Sequence, residues 1–347
     1  MKFTRFIVPA ALTLLVAVST ASANLNCPGL TPVPFSSIDN SIDLGLGQII
    51  QGKDIDCNKV AIGANVVSGI QNMVAGQLPA PHSITFRMVD QFDNAFFDPS
   101  DISLNVPYQL VLNNYSKNPV YSPAVWAHEF GHSILDATLT KINADSKWTA
   151  LISKTMDGSI GSPEGVIQAL LMPYHEFFAD CVAVLYTGKP DAVAKGLYLT
   201  GFMANPEGSP SECPNKSSPK CRPRQKHASD PRIMATSRDF AERSNQLGTW
   251  KGVNPGDDHD LLAPARFHIW KYYYSNALMK AQKGKLAGVT VDAILSDMNG
   301  RLQRVASLPG GFTSANVSKE IGDVQRINRE FIDTVNAEMK KSFPSAF

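Results

Sequence analysis

Two periods of apolar and polar positions run along the chain. Over 83–90 (SITFRMVD) and 102–106 (ISLNV), apolar and β-branched residues alternate with polar ones, as in half-buried strands, and a turn-rich NAFFDPSD separates the two stretches. Over 121–142, Trp126, Phe130, Ile134 and Leu135 recur near helical spacing behind Ser122-Pro123, a cap and first-turn pair. A second helix is predicted over 174–187, after Pro173 and ending at Gly188-Lys189-Pro190. The segment VAIGANVVSGIQNMV reads as a further helix packed on the core, and the chain from 261 onward reads as helical, most clearly at 289–306 and 317–342. No repeat of solenoid length interrupts this order. The pattern predicts an α+β fold: a small mixed sheet with helices around it, then a mainly helical C-terminal lobe.

The N-terminus breaks the pattern. Lys2 and Arg5 precede an apolar run from Phe6 to Val18, followed by the small residues Ala21-Ser22-Ala23. This is the make-up of a secretory signal peptide cleaved after Ala23. The run is shorter than the roughly 20 apolar residues of a spanning helix, and Asn26 before Cys27 does not suit a lipoprotein. No later segment is long and apolar enough to span a bilayer, so a soluble, secreted or periplasmic protein is expected. The implied layout is a signal peptide at 1–23, an N-terminal segment at 24–80 that either packs on the core or is a pro-segment, a catalytic subdomain at 81–190, and a helical lobe at 191–347 with a basic loop at 204–232.

Export also changes how the five cysteines are read. Disulfides become plausible, and the pairs Cys27–Cys57 and Cys213–Cys221 are expected. Cys181, inside the apolar HEFFADCVAVLY, is the one left as a buried thiol. With 44% hydrophobic residues the chain has ample core, and 32 basic against 31 acidic residues leave no field of one sign. A nucleic-acid partner is therefore not expected, and the basic residues Lys216, Lys220, Arg222, Arg224 and Lys226 read as a solvated loop.

The chemistry concentrates in AVWAHEFGHSILD. His128 and His132 stand one helical turn apart, so both imidazoles project from one face and suit two corners of a zinc tetrahedron. Glu129 lies beside the first of them, where it can act as a general base without ligating the metal. A catalytic zinc needs one more protein ligand, and MPYHEFFADCVAVLY supplies a carboxylate pair one turn apart. Glu176 is the predicted third ligand, with Asp180 accepting a hydrogen bond from a ligand histidine and fixing its tautomer. His175 and Glu164 compete for the third place; His175 points about 100° away from Glu176 around a helix, so the two cannot share one metal. Asp136, four residues after His132, is either a second partner of this kind or a helix-surface carboxylate. Leu135 and Thr138 stand where a metzincin needs Gly and His, which excludes that class.

HEFGH followed 44 residues later by HEFFAD resembles the gluzincins, and is similar in particular to thermolysin-like and lethal-factor-like metallopeptidases. NAFFDPSDISLNVPYQLVL is likewise similar to the strand region of several secreted metallopeptidase families. The resemblance covers roughly residues 83–187 and implies a zincin-like catalytic subdomain with one catalytic zinc and a glutamate ligand on a second helix. It also implies a His or Tyr from later in the chain that stabilises the oxyanion. His259, in GDDHDLLAPARFHIW before a helical run, resembles the thermolysin pattern in outline; Tyr174 and Tyr272 to Tyr274 are alternatives, and His268 among Phe267, Ile269 and Trp270 reads as a core histidine. Asp257, Asp258 and Asp260 offer oxygen ligands, but their spacing lacks the glycine and terminal glutamate of an EF-hand, so calcium is unsupported. The expectation is thus an exported zinc metallopeptidase acting on a peptide or protein substrate. Its alternatives are a metal-binding effector without turnover, against which the intact Glu129 counts, and a zinc hydrolase of a non-protein amide.

Overall fold

A computed structural model describes residues 57–81, 84–89, 95–100, 102–107, 123–142, 163–194, 237–251 and 258–347. The signal peptide, residues 24–56, the proposed disulfide partners Cys27, Cys213 and Cys221, the basic loop and Asp257 lie outside the described residues. Helix α1 (Cys57–Val74) leads into a three-stranded sheet of β1 (Thr85–Val89), β2 (Phe96–Asp98) and β3 (Ser103–Pro107). The strand order is β1-β3-β2, with β3 parallel to β1 and antiparallel to β2. The predicted strands are therefore present, but the stretch read as pure turn also contains β2. Phe96 and Phe97 supply the aromatic content strands favour, and Pro99 and Ser100 close the strand through a turn in which the Asp98 carboxylate accepts from the Ser100 N–H at 2.9 Å.

Helix α2 (Pro123–Ile142) and helix α3 (Pro163–Thr187) form the centre of the molecule. α3 begins eleven residues before its predicted start and carries Pro173 in its interior. An internal proline costs a helix about 3 kcal/mol. Here burial on both sides of it, by Leu170, Leu171, Tyr174, Phe177 and Phe178, outweighs that cost. Gly131 sets how closely the two helices approach: a Cβ added there would lie 2.7 Å from the Cα of Ala179. Without a side chain at this point, the face of α2 that carries His128 and His132 rests directly against the face of α3 that carries Glu176 and Asp180.

The C-terminal lobe follows a short 3-10 turn at Arg243–Asn245 and consists of α4 (Ala263–Ile269), a π-helical turn at Trp270–Tyr274, α5 (Ala277–Lys280), α6 (Lys283–Ser307), α7 (Ser314–Gly322) and α8 (Val324–Ser342). The single helix predicted over 317–342 is two, because Asp323 leaves the helical conformation and its carboxylate accepts from the Arg326 N–H, capping α8. α6 and α8 bury Leu286, Ile294, Met298, Leu302, Phe331 and Val335 in the same core that receives Phe177 and Phe178 of α3. No helix among the described residues is long and apolar enough to cross a membrane.

Candidate metal centre

His128 and His132 share one face of α2 and meet with their Nε2 atoms 3.0 Å apart. With Glu129, whose carboxylate lies within 4.8 Å of both ring nitrogens, they form a group that can hold a metal ion. Glu176 reaches the same point from α3: Oε2 is 3.2 Å from His128 Nε2 and Oε1 is 3.6 Å from His132 Nε2. His259, from the segment before α4, places its Nε2 3.2 Å from Glu176 Oε2.

These separations test whether a cation fits. Donors at 2.0–2.1 Å from a tetrahedral zinc stand about 3.3–3.4 Å from one another; His128 Nε2 lies 3.0 Å from His132 Nε2 and 3.2 Å from Glu176 Oε2, His259 Nε2 lies 3.2 Å from that same oxygen, and His132 Nε2 faces the other carboxylate oxygen at 3.6 Å. His128 Nδ1 is 2.9 Å from Asp180 Oδ1; as a donor to that carboxylate it would leave Nε2, in the neutral ring, open to a cation. Glu176 Oε2 is itself buried without a hydrogen bond. Lone pairs facing one another in a buried site repel unless a cation lies between them. The donor set of nitrogen and carboxylate oxygen suits zinc.

The electrostatics treat the two histidines differently. Burial drives His132 down to about 3, which keeps it a neutral ligand across the physiological range. Burial also pushes Glu176 up, yet His259, His132 and His128 overcome it and hold the carboxyl well below the usual range. Burial and Arg238 push His128 down, while Asp180 and Glu176 overcome both and leave its pKa raised. Glu129 has no such ion pair, and burial raises it to about 7.

Two residues here carry no role in the sequence reading. Arg238 donates from Nη2 to Asp180 Oδ1 at 2.6 Å and lies over the His128 ring, 3.0 and 3.2 Å from its nitrogens. Arg266, fully buried, pairs through Nε with Asp180 Oδ2 at 2.8 Å and donates from Nη1 to the His259 carbonyl at 2.6 Å. Asp180 therefore meets one imidazole and two guanidiniums. The available signal was an arginine between Ala265 and Phe267, at a helix position whose neighbours are apolar.

The other candidates are placed elsewhere. Asp136 is half-buried, and no hydrogen bond or ion pair joins it to a described residue; burial lifts its carboxyl to about 6. His175 is buried with its ring stacked 6.2 Å from that of His132. Glu164 falls in the first turn of α3 rather than in a loop. Tyr174 turns its hydroxyl to Asp297 and Arg301, Tyr274 to Thr290 and Tyr273 to Asn336, so none of them faces the metal group. His268 is half-buried and hydrogen-bonded to Asn336 at 2.7 Å. Cys181 is a buried free thiol.

No protein-family model, curated protein or solved structure matches the chain.

Proposed function

We propose that the chain is an exported zinc-dependent hydrolase of peptide bonds, with His128, His132 and Glu176 as metal ligands and Glu129 as general base. The observation that carries this reading is the convergence of two imidazole nitrogens and an unbonded carboxylate oxygen at tetrahedral-edge separations, with a second carboxylate beside them. Zinc, when bound, supplies Lewis-acid polarisation of a carbonyl and lowers the pKa of water.

The chain's own residues do the rest. Asp180 holds the His128 Nδ1 proton and so keeps the ring oriented toward the metal group. Glu129 accepts the proton of the attacking water on its carboxylate and delivers it to the leaving nitrogen. A peptide is preferred over a small amide on the likeness of HEFGH and HEFFAD to the gluzincin peptidases. Export is supported by the n-region, apolar run and A-x-A site at residues 2–23.

The test is metal analysis of the purified protein together with a peptide-library digest, on wild type and Glu129→Gln. Wild type is expected to carry one zinc and cleave; the variant keeps the zinc and loses about 10²–10⁴-fold in rate. A wild type that binds no zinc on titration overturns the metal reading, and a variant that cleaves at the wild-type rate overturns the assignment of the base.

A further inference from the structure

We infer that His259 is a fourth protein donor to the metal, so that the ion clamps the C-terminal lobe onto the α2–α3 pair and the resting shell contains no open corner. This rests on the proposed metal centre and goes beyond it, since three ligands suffice for a catalytic zinc.

Three observations carry it. His259 Nε2 stands 3.2 Å from Glu176 Oε2, the same separation that His128 Nε2 keeps from that oxygen. Both imidazole nitrogens thus face one carboxylate oxygen at close to a tetrahedral edge, the spacing that two donors to one ion keep from a third. The backbone bearing His259 is also fixed to the centre independently of its ring. Arg266 Nη1 holds the His259 carbonyl at 2.6 Å while its Nε holds Asp180, the carboxylate that orients His128. One buried guanidinium therefore sets the positions of two donors, one from each lobe. Finally, the His259 side chain is 36% exposed, against 7%, 12% and 10% for His128, His132 and Glu176.

The exposure has a mechanistic consequence. A zinc closed by four protein donors leaves no place for water, and turnover then requires a fifth coordination position or the departure of one donor. His259 is the donor that solvent and substrate can reach, so it is the one to leave. The geometry thus assigns it as an exchangeable cap on the metal.

The experiment uses the full mature chain loaded with zinc or with cobalt(II), comparing wild type, His259→Ala and His259→Cys, with His268→Ala as a remote histidine control. Expected results are a zinc affinity lower by more than about 100-fold for His259→Ala, beyond the roughly 10–100-fold that an outer partner usually costs, and an altered cobalt visible spectrum. His259→Cys should add a thiolate-to-cobalt charge-transfer band, a gain of signal that a mere neighbour of the metal cannot give. His268→Ala should match wild type in both. Equal zinc affinity and identical cobalt spectra for wild type and His259→Ala, without a new band in His259→Cys, overturn the inference while leaving the three-ligand centre standing. A folded wild type that binds neither metal overturns both.

Discussion

Helix α3 feeds two buried polar clusters that are built on opposite principles. Glu176 and Tyr174 are two residues apart, about 200° around the helix, so one side chain enters the metal group and the other enters the C-terminal lobe. In the lobe, donors and acceptors match. Arg301 Nε donates to the Tyr174 hydroxyl at 2.5 Å and to Asp297 at 2.7 Å, Nη1 pairs with Glu320 at 3.2 Å and Nη2 donates to the Ile327 carbonyl at 3.1 Å. The Tyr174 hydroxyl donates in turn to Asp297, and Arg304 and Arg326 complete Glu320. In the metal group the pairing is uneven, and Glu176 Oε2 on one side and Arg266 Nη2 on the other have no hydrogen bond. A buried network that satisfies itself holds a fold together; one that leaves lone pairs pointing at a common centre is waiting for a cation.

The sharpest way to break this comparison is to remove one group from each cluster. Arg301→Met leaves Asp297 without its ion-pair partner and with only the Tyr174 hydroxyl, and should cost about 3 kcal/mol of stability, read from the urea midpoint, while zinc affinity of the folded fraction is unchanged. Glu176→Gln should do the reverse. Zinc binding should fall by more than the roughly 10–100-fold of an outer-partner change, while the metal-free variant loses only what the ionised carboxylate gains from the histidines around it. If Arg301→Met is neutral, or Glu176→Gln strongly destabilises the metal-free protein, the two clusters are not different in kind.

A smaller effect probes how the helices deliver the ligands. Gly131→Ala puts a Cβ 2.7 Å from the Ala179 backbone, which cannot yield as a flexible side chain would. Overpacking of this kind costs about 1–3 kcal/mol. Because the forced separation lies between His128 and His132 on one helix and Glu176 on the other, zinc affinity should fall together with stability. A variant that loses stability but binds zinc as wild type would show that the close approach serves packing alone.

The difference between the clusters also explains what the sequence disclosed. Spacing sufficed for His128, Glu129 and His132, because an i, i+4 pair on a helix is a local geometric fact. It sufficed for the Glu176 and Asp180 pair for the same reason, although their joining to α2 depends on Gly131 and long-range packing. Arg238 and Arg266 act through contacts that span 58 and 86 residues to Asp180, and no local period marks them. The Tyr174–Asp297–Arg301 network was likewise hidden, since Tyr174 and Asp297 are 123 residues apart and each taken alone is an ordinary helix residue. Pro173 stays inside a helix and Asp323 breaks one because burial in the first case and side-chain capping in the second decide against propensity and periodicity.

The last test distinguishes the clusters by the sign of their response to pH, in metal-free protein. Burial raises Glu129 to about 7, above its ordinary value of 4.5. Ionising it is a penalty that the unfolded chain does not bear, absent below pH 4.5 and complete once pH passes 7. Glu129→Gln carries no such penalty, so its stability should gain on wild type by roughly 1 kcal/mol per pH unit as pH rises between 5 and 7. Glu320 is the opposite case: burial pushes it up, but Arg326 and Arg304 overcome that and hold its pKa below 4.5. Its ionised form stabilises the fold, in full above pH 4.5, and the contribution is lost as pH falls through the depressed value. Glu320→Gln should therefore trail wild type at neutral pH and converge with it on acidification below 4.5, where Glu129→Gln has no advantage left. Urea midpoints of the three proteins across pH 3–8 decide it. Parallel pH profiles for the two variants would mean that Glu129 and Glu320 sit in equivalent environments, and the division between a self-satisfied network and an unsatisfied metal group would fail. Adding zinc sharpens the same measurement, because a cation beside Glu129 favours its charged form and should shrink the gain of Glu129→Gln while leaving the Glu320→Gln profile where it was.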